Sequence, residues 1–217
     1  MADHEDRAAH PDDAGHGHGH EGGGDQDHGA GEEHAHHEHG HHTAQHEPGH
    51  HAHDLETVRV AVLTVSSTRS LDDDPSGDAI AAAFEAAGHG ISIRELVGDD
   101  LDRVQGRLHA LVRRDDVDAV VTTGGTGVTP DDVTVEAAEP LFEKSLPGFG
   151  ELFRRRSEPD VGTRVVATRA VAGIAAGVPV FCLPGSEAAA RLGAEDLIVP
   201  EVGHLAGLAR RDEDEEE

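Results

Sequence analysis

The segment Asp118 to Thr134, Asp-Ala-Val-Val-Thr-Thr-Gly-Gly-Thr-Gly-Val-Thr-Pro-Asp-Asp-Val-Thr, holds the residues whose types and spacing best suit chemistry. A short apolar run, Ala119 to Val121, reads as a buried strand because its β-branched residues sit together without polar alternation. Gly124, Gly125 and Gly127 then allow a tight turn that exposes backbone N–H groups, and such a loop at the end of a strand can cradle an anion. The carboxylates of Asp131 and Asp132 follow at once and could hold a divalent cation. Phosphate, metal and acid together point to phosphoryl or nucleotidyl transfer. The same spacing would also serve a plain strand–turn–helix connection.

The elements that must position this loop follow the same alternation. Residues 58–65, Val-Arg-Val-Ala-Val-Leu-Thr-Val, read as a buried strand followed by the polar loop Ser66 to Asp74. Pro75 suits the start of a helix that runs to Gly88. Ile91 to Val97 is a second strand, closed by Gly98, Asp99 and Asp100, and Leu101 to Arg113 carries apolar residues at helical period. Beyond the glycine loop come a short helix from Thr134, capped by Thr134 or Asp132, a turn at 147–150, and a helix at 151–156. An apolar stretch at 165–173, a strand at 178–183, the turn Pro184-Gly185-Ser186, a helix at 187–192 and a last helix at 199–208 complete the chain. Strands alternating with helices predict an α/β fold, three layers deep, with a largely parallel, doubly wound sheet. In such a sheet the polar loops at 66–74, 98–100, 124–132 and 184–186 leave strand ends and would meet in one crevice.

Composition divides the 217 residues. Residues 1–57 are rich in His, Gly, Asp and Glu, hold 16 of the 19 histidines, and cannot bury enough apolar surface to order themselves, so a disordered extension is expected. Residues 58–209 are long enough for one domain with a sizeable core, and 210–217 form an acidic tail. The net charge is −27, with one Lys, Lys144, against 16 Arg. Acid excess with so little Lys resembles adaptation to a high-salt cytoplasm, as in halophilic archaea. The same field disfavours nucleic acid. Cys182 lies in an apolar run and reads as an inert buried thiol. No signal peptide or spanning segment is expected, which points to the cytoplasm.

Taken in order, the motifs resemble the MoaB/Mog family of molybdenum-cofactor biosynthesis proteins. They are the strand Val60 to Val65 with Asp-Pro-Ser-Gly at 74–77, Val-Gly-Asp-Asp at 97–100, Thr-Gly-Gly-Thr-Gly at 123–127 and Asp-Val-Thr at 132–134. Pro-Gly-Phe-Gly-Glu-Leu-Phe at 147–153, Thr-Arg-Ala-Val-Ala-Gly at 168–173 and Leu-Pro-Gly-Ser at 183–186 follow. The likeness covers nearly the whole of 58–209. It implies a molybdopterin-binding domain that, in active members, uses Mg-ATP to adenylylate the terminal phosphate of molybdopterin and releases pyrophosphate. It implies Asp99 and Asp132 as the essential acids, with Mg²⁺ as their metal. For molybdopterin and its phosphate it implies Thr123, Gly124, Gly125, Thr126, Gly127 and Thr134, together with Pro184, Gly185 and Ser186. It also implies a homo-oligomer, trimer or hexamer, and a molybdenum-insertion protein downstream. Two positions depart from the family pattern: Gly98 stands where Val-Pro-Asp has its proline, and Asp131 where an arginine often precedes the key acid.

Simpler roles exist for the same residues. Asp99 and Asp132 would each serve as helix N-caps, Asp100 and Asp131 as surface charge, and the run Arg154 to Arg156 as a solvated helix face; Arg169 is the other cation near the candidate sites. A binding-only paralogue is the alternative to the transferase. In the extension, His16, His18, His20, His34, His36, His37, His39, His41 and His42 are imidazoles suited to Zn²⁺, Ni²⁺ or Cu²⁺, for metal buffering or delivery, or else part of a solvated tail.

Overall fold

The computed structural model describes residues 54–210. A six-stranded sheet forms the middle layer, in the order β2-β1-β3-β6-β5-β4. Strands β1 (Arg59–Val65), β2 (Gly90–Val97), β3 (Ala119–Thr123) and β6 (Val178–Leu183) run parallel. Strands β5 (Val171–Ala175) and β4 (Lys144–Ser145) close one side antiparallel. The central strands β1 and β3 are covered on both faces, which is why they read as unbroken apolar runs.

Helices cover both faces. One core joins Val60, Val62, Phe153 and Phe181 to Ile80 and Phe84 of α1 (Pro75–Ala86), Ala190 of α5 (Glu187–Leu192) and Val202 of α6 (Val202–Arg210). The other joins Ala61, Leu63, Val180 and Cys182 to Val104, Leu108 and Leu111 of α2 (Leu101–Leu111) and Ala137 and Ala138 of α3 (Thr134–Ala138). Alternate residues of each strand feed opposite cores, as the two-residue period of a strand requires. The expected three-layer α/β architecture is therefore observed. Burial pushes the Cys182 thiol up to about 12, so it stays protonated and inert.

Several local readings change. The segment 147–150 is no turn: Pro147 opens α4 (Pro147–Val161), where a missing N–H costs nothing, and Gly150 lets the helix press on the Ala170 carbonyl, 2.4 Å from where a Cβ would stand. The apolar stretch at 165–173 splits into a 3₁₀ segment, Gly162–Ala167, and β5. A two-residue hairpin, Ala176-Gly177, reverses the chain into β6, with both residues at positive φ (49° and 72°). The last helix begins at Val202, after a π-helical stretch over Gly193–Ile198 that continues α5.

Residues at either end of the described chain also make contacts with the sheet and its helices. Leu55 packs on the first core and its N–H donates to the Gly203 carbonyl at 3.1 Å. Arg210 donates to the Val117 carbonyl and pairs with Asp118 at 2.6 Å.

Candidate functional site

The chain leaves β1 toward β2 on one side and later places β3 on the other, so the strand order reverses between β1 and β3. Loops at the carboxyl ends of the strands separate at such a point and open a crevice. Backbone bonds draw four loops together there. The Ser66 N–H donates to the Val97 carbonyl at 2.8 Å, joining the ends of β1 and β2, and the Gly124 N–H donates to the Leu183 carbonyl at 3.0 Å, joining β3 to β6.

Glycine is required in this crevice by contact as well as by conformation. Gly124 has φ +99°, and a Cβ on it would stand 2.2 Å from the Val65 carbonyl oxygen. A Cβ on Gly127 would stand 2.7 Å from Asp132 Oδ2. Gly185 lies against Gly124, 3.1 Å from Cβ position to Cα. The floor of the crevice is thus bare backbone from β3 and β6, and N–H groups of this kind suit a phosphate.

Asp132 stands beside that floor. Its Oδ2 accepts from the Thr129 N–H at 2.8 Å and from the Thr129 hydroxyl at 2.7 Å. Burial pushes this carboxyl up, but the Thr129 bonds, the Gly127 N–H and the Arg169 charge outweigh it and hold it below the usual range. Asp132 is therefore an anion at neutral pH. It lines two clefts at once. One, of about 360 Å³, is walled by Gly124 to Gly127, Ala167, Thr168, Pro184 and Gly185. The other, of about 450 Å³, is walled by Leu101, Val128, Thr129, Pro130, Glu136 and Arg169. Asp132 thus forms part of the wall of both the glycine-lined pocket and the second chamber.

Neither Asp99 nor Asp132 is a helix cap. α3 starts after Val133 without a side-chain cap, and Asp100 caps α2 through the Arg103 N–H at 2.9 Å. Asp99 instead turns to the β1 loop: its Oδ2 accepts from the Ser67 N–H at 2.7 Å and its own N–H donates to Ser67 Oγ at 3.0 Å. Asp131 is exposed.

Two hydroxyls of the expected binding set, those of Thr123 and Thr134, are committed inside the protein. Thr123, fully buried, donates to the Pro184 carbonyl at 3.0 Å, and Thr134, also buried, donates to the Gly124 carbonyl at 2.8 Å. Thr126 is buried, and its carbonyl accepts from the Arg169 N–H at 3.3 Å. Ser186 Oγ accepts from the Ala189 N–H at 3.3 Å as the cap of α5. Thr123 and Thr134 thereby tie the loops together, while Ser186 is exposed.

Two arginines hold the crevice in shape. Arg169 donates to the Gly127 carbonyl at 2.6 Å and the Asp132 carbonyl at 3.1 Å while pairing with Glu136, so it pins the glycine loop to α3. Arg69 donates to the Gly185 carbonyl at 2.9 Å. It also reaches Ser76 and Asp74, and Asp74 caps α1 through the Gly77 N–H. The sequence had pointed to Arg169 only as a nearby cation and had not singled out Arg69; Asp before Pro-Ser-Gly is the cap signature that could have flagged the anchor. Arg154, by contrast, lines a separate cavity with Glu139, Phe142 and Ala170.

No three His, Cys, Asp or Glu side chains among the described residues group as a metal site. The tail histidines, His16 to His42, lie outside the described residues. No helix among the described residues is long and apolar enough to cross a membrane.

A doubly wound α/β domain with a glycine-floored crevice at its switch point defines the class. The family model described as "Probable molybdopterin binding domain" matches residues 61–204, and the chain belongs to that family. It is 42% identical over 158 residues to the molybdenum cofactor biosynthesis protein B of Bacillus subtilis, covering 72% of this chain and 93% of that one. A crystal structure of a molybdenum cofactor biosynthesis protein B superposes with TM-score 0.69 at 40% identity, over 71% of this chain and 97% of the other. The tungsten cofactor synthesizing protein MoaB of Pyrococcus furiosus superposes with TM-score 0.65 at 39% identity, over 71% and 98%. The Bacillus relative, like others of similar identity, is bacterial, so the halophilic archaeal source suggested by composition finds no support here.

Proposed function

We propose that this chain acts in molybdenum-cofactor biosynthesis and adenylylates molybdopterin: a terminal phosphate oxygen of the pterin attacks the α-phosphorus of ATP, and pyrophosphate leaves. The observation that carries this is the position of Asp132, an anion held by Thr129 and Gly127 between the glycine-floored cleft and the Arg169-lined one. In this reading the amides of Gly125 and Thr126 and the Pro184–Ser186 turn hold the pterin phosphate, and ATP enters the neighbouring chamber. Bound Mg²⁺ would supply neutralising charge where the phosphates crowd together. Asp132 and Asp99 would be the residues that hold it. The protein's share of the catalysis is then positioning and electrostatic stabilisation, with no covalent protein intermediate.

Binding without transfer is the second reading. Two observations favour it: Asp99 is engaged by Ser67, and Asp131 stands where the family often has a cation beside the phosphate. Pyrophosphate release from ATP and molybdopterin with Mg²⁺ decides between them. Under the transferase reading wild type releases pyrophosphate, and Asp132→Asn is slower by about a hundredfold or more, with molybdopterin still bound. Wild type that binds molybdopterin but releases none leaves only the binding reading.

A further inference from the structure

One loop, Ser66 to Asp74, reaches across the crevice. Through Ser67 it holds Asp99 at the end of β2. Two residues later Arg69 crosses to the opposite wall and donates to the Gly185 carbonyl at 2.9 Å. The other arm of the same guanidinium bonds Ser76 Oγ and lies 3.4 Å from Asp74 Oδ1.

The anchor beneath it is costly. Asp74 is only 1% exposed. It takes the Thr64 hydroxyl at 2.6 Å, the Gly77 N–H and the Ser76 hydroxyl at 3.1 Å each, and a second guanidinium, Arg94, at 3.4 Å. A helix cap works at the surface and needs no such burial. A carboxylate withdrawn from water and paired with arginine instead fixes a guanidinium rigidly. What the fixed guanidinium then reaches is the Gly185 peptide, which lies against Gly124.

We infer that Arg69, seated on buried Asp74, is a positioning residue that sets the spacing between the Pro184–Ser186 turn and the glycine loop, and through it the affinity for the phosphate-bearing pterin. This rests on the function proposed above. A planar fork joins Asp74 and Ser76 to Gly185 at once; a lysine ammonium at the same place reaches one partner or the other. The effect belongs to the pterin side. Asp132 and its second cleft are held by Thr129 and Arg169 and do not depend on Arg69.

The test uses the full chain with three variants: Arg69→Lys, Asp74→Asn, and the double Arg69→Ala/Asp74→Asn. The Asn at position 74 can still cap α1, and with it the double variant loses the buried charge together with its Arg69 partner, while Arg94 keeps its pair with Asp78. Molybdopterin Kd is measured by anaerobic calorimetry, and kcat and both KM values from pyrophosphate release. In the double variant, Kd and KM for molybdopterin rise about tenfold while kcat and KM for ATP stay within about twofold. Arg69→Lys falls in between. Folded variants with wild-type Kd overturn the inference, and so does a parallel loss of kcat and ATP affinity, which would mark general structural damage. Wild type that binds no molybdopterin overturns the proposed function, and this inference with it.

Discussion

At the scale of single residues, the carboxylates divide by what surrounds them. Asp132 and Asp74 are both drawn into the protein, which by itself would favour their neutral forms. Donors reverse this: Thr129, Gly127 and Arg169 for one, Thr64, Gly77, Ser76 and Arg94 for the other. The consequence for Asp74 has a definite sign. Its folded-state pKa lies below the unfolded value of 3.8, so its contribution to stability is present above that value and is lost as pH falls through the folded one. Asp74→Asn is therefore less stable than wild type at pH 7, and the gap narrows below about pH 4. Thermal melts of both proteins from pH 6 to pH 2 measure it, and a gap constant across that range refutes the assignment. The two acids also differ in legibility. Asp132 follows a glycine loop and announces itself. Asp74 looks like an ordinary helix cap until its burial and its two arginines are seen together.

Among the elements, the hairpin between β5 and β6 shows where local patterning runs out. Ala176 and Gly177 both take positive φ, yet Ala-Gly lacks the Asn-Gly or Asp-Gly signature of such a turn. The stretches 165–173 and 178–183 accordingly read as two segments of unknown relation, and nothing local marks the antiparallel edge of the sheet. Ala176 pays a steric cost that Asn tolerates better in this region. Ala176→Asn is expected to raise unfolding free energy by about 0.5–1 kcal/mol in urea titration. A loss of stability would mean that the turn or its bond to Glu143 is not formed as described. α4 teaches a related lesson. Pro147, Gly148 and Gly150 look like a turn by composition, but proline is tolerated at the first helical position and Gly150 is needed where the helix meets the Ala170 carbonyl.

For the molecule as a whole, charge is the dominant long-range term. A net −27 repels itself at low ionic strength, and the Debye length shrinks from about 10 Å at 0.1 M salt to about 3 Å at 1 M. The melting temperature should rise between these two conditions by at least about 3 °C, roughly 1 kcal/mol for a protein of this size. A flat or falling profile in calorimetry would show that the ion pairs, such as Arg59 and Arg210 on Asp118, already balance the repulsion. The acidity is a property of the chain whatever its source.

The amino-acid sequence alone determined the strand–helix alternation, the burial of β1 and β3, and the glycine loop with its following acid. Each of these depends on residue type, period or spacing within a few positions, and those are local quantities. Tertiary structure decided what the loops do to one another. Thr123 and Thr134, written among the binding residues, turn inward because their hydroxyls meet the carbonyls of Pro184 and Gly124. Arg69 meets Gly185 across 116 positions of chain, a pairing that exists only once β1 and β6 are brought onto either side of β3. The crevice is a product of strand order, and strand order is settled by packing the whole sheet.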